Sequence, residues 1–131
     1  MTIVLDSWAI MRLLEGIEPA ATRVQEQIDS GDAVMSWINL GEILYVLSRS
    51  EGADAASTTV RDIENSITAV LPDRALVLEA ARIRAGHAMS YADAFAAATA
   101  IRHSAPLWTG DPELLVADAE WNAHDPNGDA Q

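Results

Sequence analysis

The sequence predicts a three-layer α/β/α sandwich around a central parallel sheet of four to five strands. Two observations predict it. Short apolar runs of strand length, at residues 3–5, 33–35, 67–71 and 106–109, alternate along the chain with segments of helical periodicity. That alternation is the pattern of parallel strands joined by crossover helices. In addition, 131 residues of which 50% are hydrophobic, at a mean hydropathy of +0.07, suffice for one domain with a buried core. We expect a single domain over residues 1–124. Residues 125–131, polar with Pro126 and Gly128, are expected to fray.

Each element has a local reason. Ile3-Val4-Leu5 reads as a buried strand that stops at Asp6-Ser7. Trp8, Ile10, Met11, Leu13 and Leu14 recur at helical spacing until Gly16 ends the helix. Pro19 suits the opening of a second helix, running to about residue 30 with Gly31 as its stop. Ala33-Val34-Met35 is the second strand, and Ser36 caps a third helix over residues 37–50. Gly52 breaks the chain before a polar-faced helix over 54–65. Residues 67–71 form the third strand, stopped by Pro72. Asp73 starts a helix with Leu76, Val77, Ala80 and Ile83 on its inner side, ending near Gly86. Ser90 caps an alanine-rich helix over 91–103, and 106–109 is the fourth strand. Asp111-Pro112 is then expected to open a short helix to about residue 117, with Trp121 in a weak last strand.

Composition narrows the chemistry. With no cysteine, disulfides, thiolate metal sites and cysteine nucleophiles are excluded. Twenty acidic residues face eight basic ones, all arginine, for a net charge of -12. Such a surface favours solubility and repels polyanions at low salt. It fits either a genome bias toward Ala, Asp and Arg or a high-salt cytoplasm, where the Debye length falls to about 3 Å at 1 M salt. The absence of lysine argues against receiver-type phosphoryl transfer, in which a lysine neutralises the phosphoryl oxygens. No glycine-rich phosphate loop, serine elbow or paired histidine spacing is present; His87, His103 and His124 read as structural or surface residues. No apolar run reaches the ~20 residues needed to cross a bilayer, and Asp6 interrupts the N-terminal apolar stretch. A cytoplasmic protein without membrane contact is expected.

Four carboxylates stand out against the apolar background: Asp6, Glu42, Asp93 and Asp111. Three have a plain structural reading. Asp6 can cap the helix after it, Asp93 lies three residues beyond Ser90 as in a capping box, and Asp111 precedes Pro112 at a helix start. Glu42 lies inside a helix, one turn from Ile38 and Val46, with Asn39 three residues before it. Asp6 and Asp111 each follow a strand and so fall on one rim of the sheet, where open α/β folds bind ligands. An ionised carboxylate is costly to bury, and crowded ones raise each other's pKa unless a cation neutralises them. An all-oxygen donor set suits Mg²⁺ or Mn²⁺ rather than Zn²⁺. Arg12, Arg49, Arg82, Arg84 and Arg102 are candidate phosphate contacts or else solvated helix faces. The four tryptophans read as core or interface.

Four segments carry a resemblance: Val4-Leu5-Asp6-Ser7, residues 36–43 around Asn39 and Glu42, residues 89–98 around Asp93, and residues 106–114 around Asp111. In these segments, and in their order, the chain resembles PIN-domain proteins, specifically the VapC toxins of toxin–antitoxin pairs. The resemblance implies a PIN-like sheet between helices and a Mg²⁺ (or Mn²⁺) site built from Asp6, Glu42, Asp93 and Asp111. Ser7 and Thr109 hold the places of hydroxyls that line such sites, and Asn39 is a further lining candidate. It also implies hydrolysis of RNA phosphodiester bonds, neutralisation by a cognate antitoxin and assembly as a homodimer. The chain departs from many relatives in lacking lysines that attract RNA. The expectation is therefore a metal-dependent endoribonuclease toxin. The alternatives are a catalytically weak PIN-like module binding RNA or protein, and a nuclease acting on DNA.

Overall fold

Strands in this protein are short because an acid, a cap or a proline stops each one. The computed structural model describes residues 1–128. Strand β1 (Ile3–Leu5) ends where Asp6 turns the chain into helix α1 (Ser7–Glu15), its carboxylate accepting the Ala9 N–H at 2.9 Å. Gly16 closes α1 in the left-handed region at φ 68°, a conformation that suits glycine. Helix α2 (Ala20–Asp29) follows directly after Pro19. Strand β2 (Ala33–Ser36) ends on Ser36, whose hydroxyl accepts the Ile38 N–H at 3.1 Å and starts helix α3 (Trp37–Glu51). Helix α4 (Ala53–Ser66) leads into β3 (Thr68–Val70), shorter at both ends than the 67–71 expected. Asp73 caps α5 (Arg74–Gly86) through the Leu76 N–H at 2.8 Å, and Ser90 caps α6 (Tyr91–Arg102) through the Asp93 N–H at 3.1 Å. Strands β4 (Leu107–Trp108) and β5 (Ala123–His124) complete the sheet.

All five strands are parallel, in the order β3-β2-β1-β4-β5. Val4 is in register with Val34 on one side and Leu107 on the other. Because side chains alternate along a strand, β1 and β2 divide their apolar residues between the two faces. Val4 and Val34 join a core with α5 and α6, including Leu76, Ile83 and Phe95. Ile3, Leu5, Ala33 and Met35 join a second core with α1 to α4, including Ile10, Val24, Leu40, Ile43 and Ile63. The result is the expected α/β/α sandwich with a five-stranded parallel sheet. Helix α6 is buried at every position from Ala94 to Ala100, and its small side chains let it sit close against the sheet. Its one polar residue in that stretch, Thr99, donates its hydroxyl to the Phe95 carbonyl at 2.6 Å.

The end of the chain departs from expectation in its details. Residues 111–117 form a hydrogen-bonded turn instead of a short helix. The N–H groups of Leu114 and Leu115 both reach the Asp111 carbonyl, at 2.9 and 3.1 Å. The Leu114 carbonyl, which a helix would direct to a later N–H, accepts the buried Trp121 indole N–H at 2.9 Å. Burial of Leu114 and Trp121 in one core thus outweighs continuation of the helix. The start of the expected frayed tail is also held. Arg23 donates to the carbonyls of Pro126 and Gly128, both at 2.8 Å, and the Asn127 side chain accepts the Ala20 N–H at 2.9 Å. Residues 129–131 lie outside the described part of the chain. The weak last strand forms two residues beyond Trp121, which stays in the core.

Candidate functional site

In parallel α/β sheets the carboxyl ends of the strands collect polar groups, since the connections there leave the apolar layers. Here β1 is the strand at which the sheet order reverses, with β2 on one side and β4 on the other. Asp6 leaves the end of β1, and Thr109, Gly110 and Asp111 leave the end of β4. The first turn of α6 supplies Asp93. Helix α3 supplies Asn39 and Glu42, and the start of α1 supplies Ser7.

Asp6 is the most enclosed of the site's carboxylates, at 2% exposure. Burial pushes its carboxyl up to about 7. Hydrogen bonds from the Thr109 hydroxyl and the Ala9 N–H act in the opposite direction, and the charges of Asp93 and Asp111 add to the rise. Thr109 is fully buried, and its hydroxyl oxygen also accepts the Asp111 N–H at 3.0 Å, so one side chain links the Asp6 and Asp111 positions. Asp93 is half-buried and is likewise pushed up to about 7. Burial is the main cause, followed by a hydrogen bond shared with the Asp111 carboxyl and by the charge of that group. Ser90 opposes the rise, and the charge of Glu42 contributes to it.

The second shared feature is on α3. The Ser7 hydroxyl donates to the Glu42 carboxylate and lies 3.2 Å from the Asn39 carbonyl. The fully buried Asn39 amide donates to the Ala92 carbonyl at 3.2 Å, fixing α3 to the residue before Asp93. Among the described residues, Asn39 Oδ1 is a buried side-chain acceptor without a hydrogen-bond partner. Such a group costs about 1–3 kcal/mol.

The structure therefore brings carboxylate oxygens of Asp93 and Asp111 within 4.8 Å of each other, with Asp6 within electrostatic reach of both and Glu42 within reach of Asp93. It also adds a residue that the sequence reading passed over. Oxygens of Asp93, Asp111 and Glu113 lie within 4.8 Å of one another, whereas Asp6 and Glu42 fall outside that group. Glu113 enters because the chain turns at Asp111, whose carboxylate accepts the Glu113 N–H at 2.9 Å. In the expected helix it reads only as an acid in a first turn. The set fits a hard divalent cation on two grounds. Every side-chain donor is oxygen, and the orphaned Asn39 acceptor lacks the donor that a hydrated cation supplies.

Beside the acids, α1 and α3 border a groove of about 330 Å³, lined by Ser7, Trp8, Met11, Arg12, Glu42 and Val46 among others. The Arg12 guanidinium stacks on the Trp8 indole, 4.8 Å from its centroid, and pairs with Glu15 at 2.8 Å. On the Trp8 side, Gly110 leaves no room for a side chain. A Cβ there would lie 2.1 Å from Trp8 Cζ2.

A family model described as PIN domain matches residues 3–120. No curated protein matches the sequence. Among solved structures, the DNA-bound VapBC of Salmonella typhimurium is similar at a TM-score of 0.77 and 17% identity, covering 96% of this chain and 98% of that one. VapBC-1 of nontypeable Haemophilus influenzae gives 0.76 at 17% identity, covering 98% and 100%. Mycobacterium tuberculosis VapC20, named as a toxin cleaving the sarcin–ricin loop, gives 0.69 at 18% identity, covering 86% and 92%.

Proposed function

The chain belongs to the PIN domain family, and from that premise we propose that it is a metal-dependent endoribonuclease toxin of the VapC type, held in check by a cognate antitoxin. The observation that carries the reading is the acidic cluster at the sheet rim, where oxygens of Asp93, Asp111 and Glu113 lie within 4.8 Å of one another and Asp6 is buried at the end of the adjoining strand. Asp6, Asp93 and Asp111 hold Mg²⁺ or Mn²⁺, with Glu42 as a further ligand or as the group that orients the attacking water. Glu113 joins them at the mouth of the site. A cation bound there lowers the pKa of a water and offsets charge on the phosphodiester.

The chain's own residues do the rest. Thr109 and the Ala9 N–H keep the Asp6 carboxylate in place. Ser7 fixes the Glu42 carboxylate toward the site, where it accepts a proton from the water. The Asn39 amide holds the start of α6 so that Asp93 stays opposite Asp111. The chain works as a homodimer in the cytoplasm, with RNA as its substrate. The similarity to VapBC complexes supports a toxin–antitoxin setting.

The test is digestion of total cellular RNA by purified, antitoxin-free protein, with Mn²⁺ or with EDTA. Discrete Mn²⁺-dependent fragments are expected, and Asp93→Asn should abolish them with an unchanged circular-dichroism spectrum. Folded wild-type protein that cleaves neither RNA nor DNA would transfer the assignment to a PIN-like module that binds RNA or protein. The absence of lysine and the charge of -12 are the observations that favour that second reading.

A further inference from the structure

The acidic site faces a difficulty of its own making: its substrate is a polyanion, and the molecule carries a charge of -12. Binding of single strands rests largely on cations that meet backbone phosphates. Most arginines have other engagements. Arg23 binds the carbonyls of residues 126 and 128, Arg82 binds Glu79 and Glu120, and Arg102 binds Asp73. Arg84 lies against the His87 carbonyl and Arg49 over Tyr45. Arg12 alone among the arginines lines the groove that also contains Ser7 and Glu42.

Its setting is built rather than incidental. Ser7 and Arg12 are five residues apart on α1, about 7.5 Å along the axis, so the guanidinium stands one step away from the acids along the groove. The Trp8 ring holds the guanidinium at 4.8 Å from its centroid by cation–π attraction, and a guanidinium so placed still has N–H donors for a phosphate. Trp8 in turn rests on Gly110, between Thr109 and Asp111 of the acidic rim. A chain of contacts, Arg12 on Trp8 on Gly110, therefore sets the cation in a fixed relation to the carboxylates. Glu15, which lines the same groove, pairs with Arg12 at 2.8 Å and competes with any incoming anion.

We propose that Arg12, held over the Trp8 ring, is a substrate-binding residue that takes a backbone phosphate adjoining the scissile one, and that Glu15 is the anion this phosphate displaces. The inference rests on the nuclease reading for the direction of the strand but makes a separate claim about binding.

The experiment uses the full chain, free of antitoxin, and a fluorescein-labelled oligouridylate of about ten nucleotides. Binding is followed by anisotropy with Ca²⁺ present, from about 50 to 200 mM KCl, alongside Mn²⁺-dependent cleavage of total tRNA. Arg12→Gln should weaken binding about tenfold and reduce the slope of log Kd against log salt by about 0.7, the value of one phosphate contact on a single strand. It should raise KM while largely sparing kcat. Arg12→Lys should keep the slope, and Glu15→Gln should tighten binding. Wild-type cleavage with Arg12→Gln unchanged in affinity, slope and KM would overturn the inference and leave the nuclease reading standing. Arg12-dependent binding by a wild type that never cleaves would uphold the inference and overturn the nuclease reading.

Discussion

Asp6 combines two roles whose demands conflict. Its carboxylate caps α1, yet burial raises its pKa to about 7, well above the ordinary 3.8. Asp93 shows a rise of the same size. Between those values the folded state holds protons that the unfolded chain has released, so stability falls as pH rises through the window. Metal-free protein should therefore melt at a lower temperature at pH 8 than at pH 5, and added Mn²⁺ should reverse most of the loss; melting curves with and without EDTA measure this. Asp6→Asn keeps an acceptor for the Ala9 N–H and removes the charge. It should raise the melting temperature at pH 8 in EDTA and abolish cleavage, so that stability and activity move in opposite directions. The candidate acids Asp6, Asp93 and Asp111 are legible in sequence because each stands beside an apolar run, where an unpaired charge needs a reason. Glu113 is not, since an acid two residues past Asp111 reads equally well as the first turn of a helix.

Elements are legible where a single residue decides them. Ser36, Asp73 and Ser90 announce α3, α5 and α6 because a cap is a local hydrogen bond, and each forms as the sequence predicts. The segment after Asp111 is decided by Trp121, seven residues beyond Leu114, and a competition of that kind leaves no mark in local periodicity. The held start of the C-terminal tail likewise depends on Arg23, more than a hundred residues away in sequence. The turn after β4 also depends on Gly110, since any side chain there enters the Trp8 ring. Gly110→Ala should cost about 1–3 kcal/mol, the usual range for overpacking, and should slow cleavage by shifting Thr109 and Asp111. Truncating the obstacle tests the cause: Trp8→Ala combined with Gly110→Ala should be less destabilised than the sum of the single variants. Denaturant titration gives all three values.

At the scale of the whole molecule, charge and chain order dominate. A net charge of -12 on 131 residues opposes compaction. Raising KCl from about 0.1 M to 1 M, which shortens the Debye length from about 10 Å to about 3 Å, should raise the melting temperature. Sodium perchlorate is a poor substitute in that measurement because it also denatures. A flat response to KCl would show that the acids are already balanced locally. The order of the strands has a consequence for synthesis. The centre of the sheet joins Val4 to Leu107, so the first strand made acquires one of its two neighbours only near the end of translation. Until that pairing forms, Asp6 and Asp111 belong to separate stretches of chain and nothing holds them at one rim. A growing polypeptide of this kind carries its acids without an assembled site, so any chemistry of the rim begins only when the last third of the chain has been made.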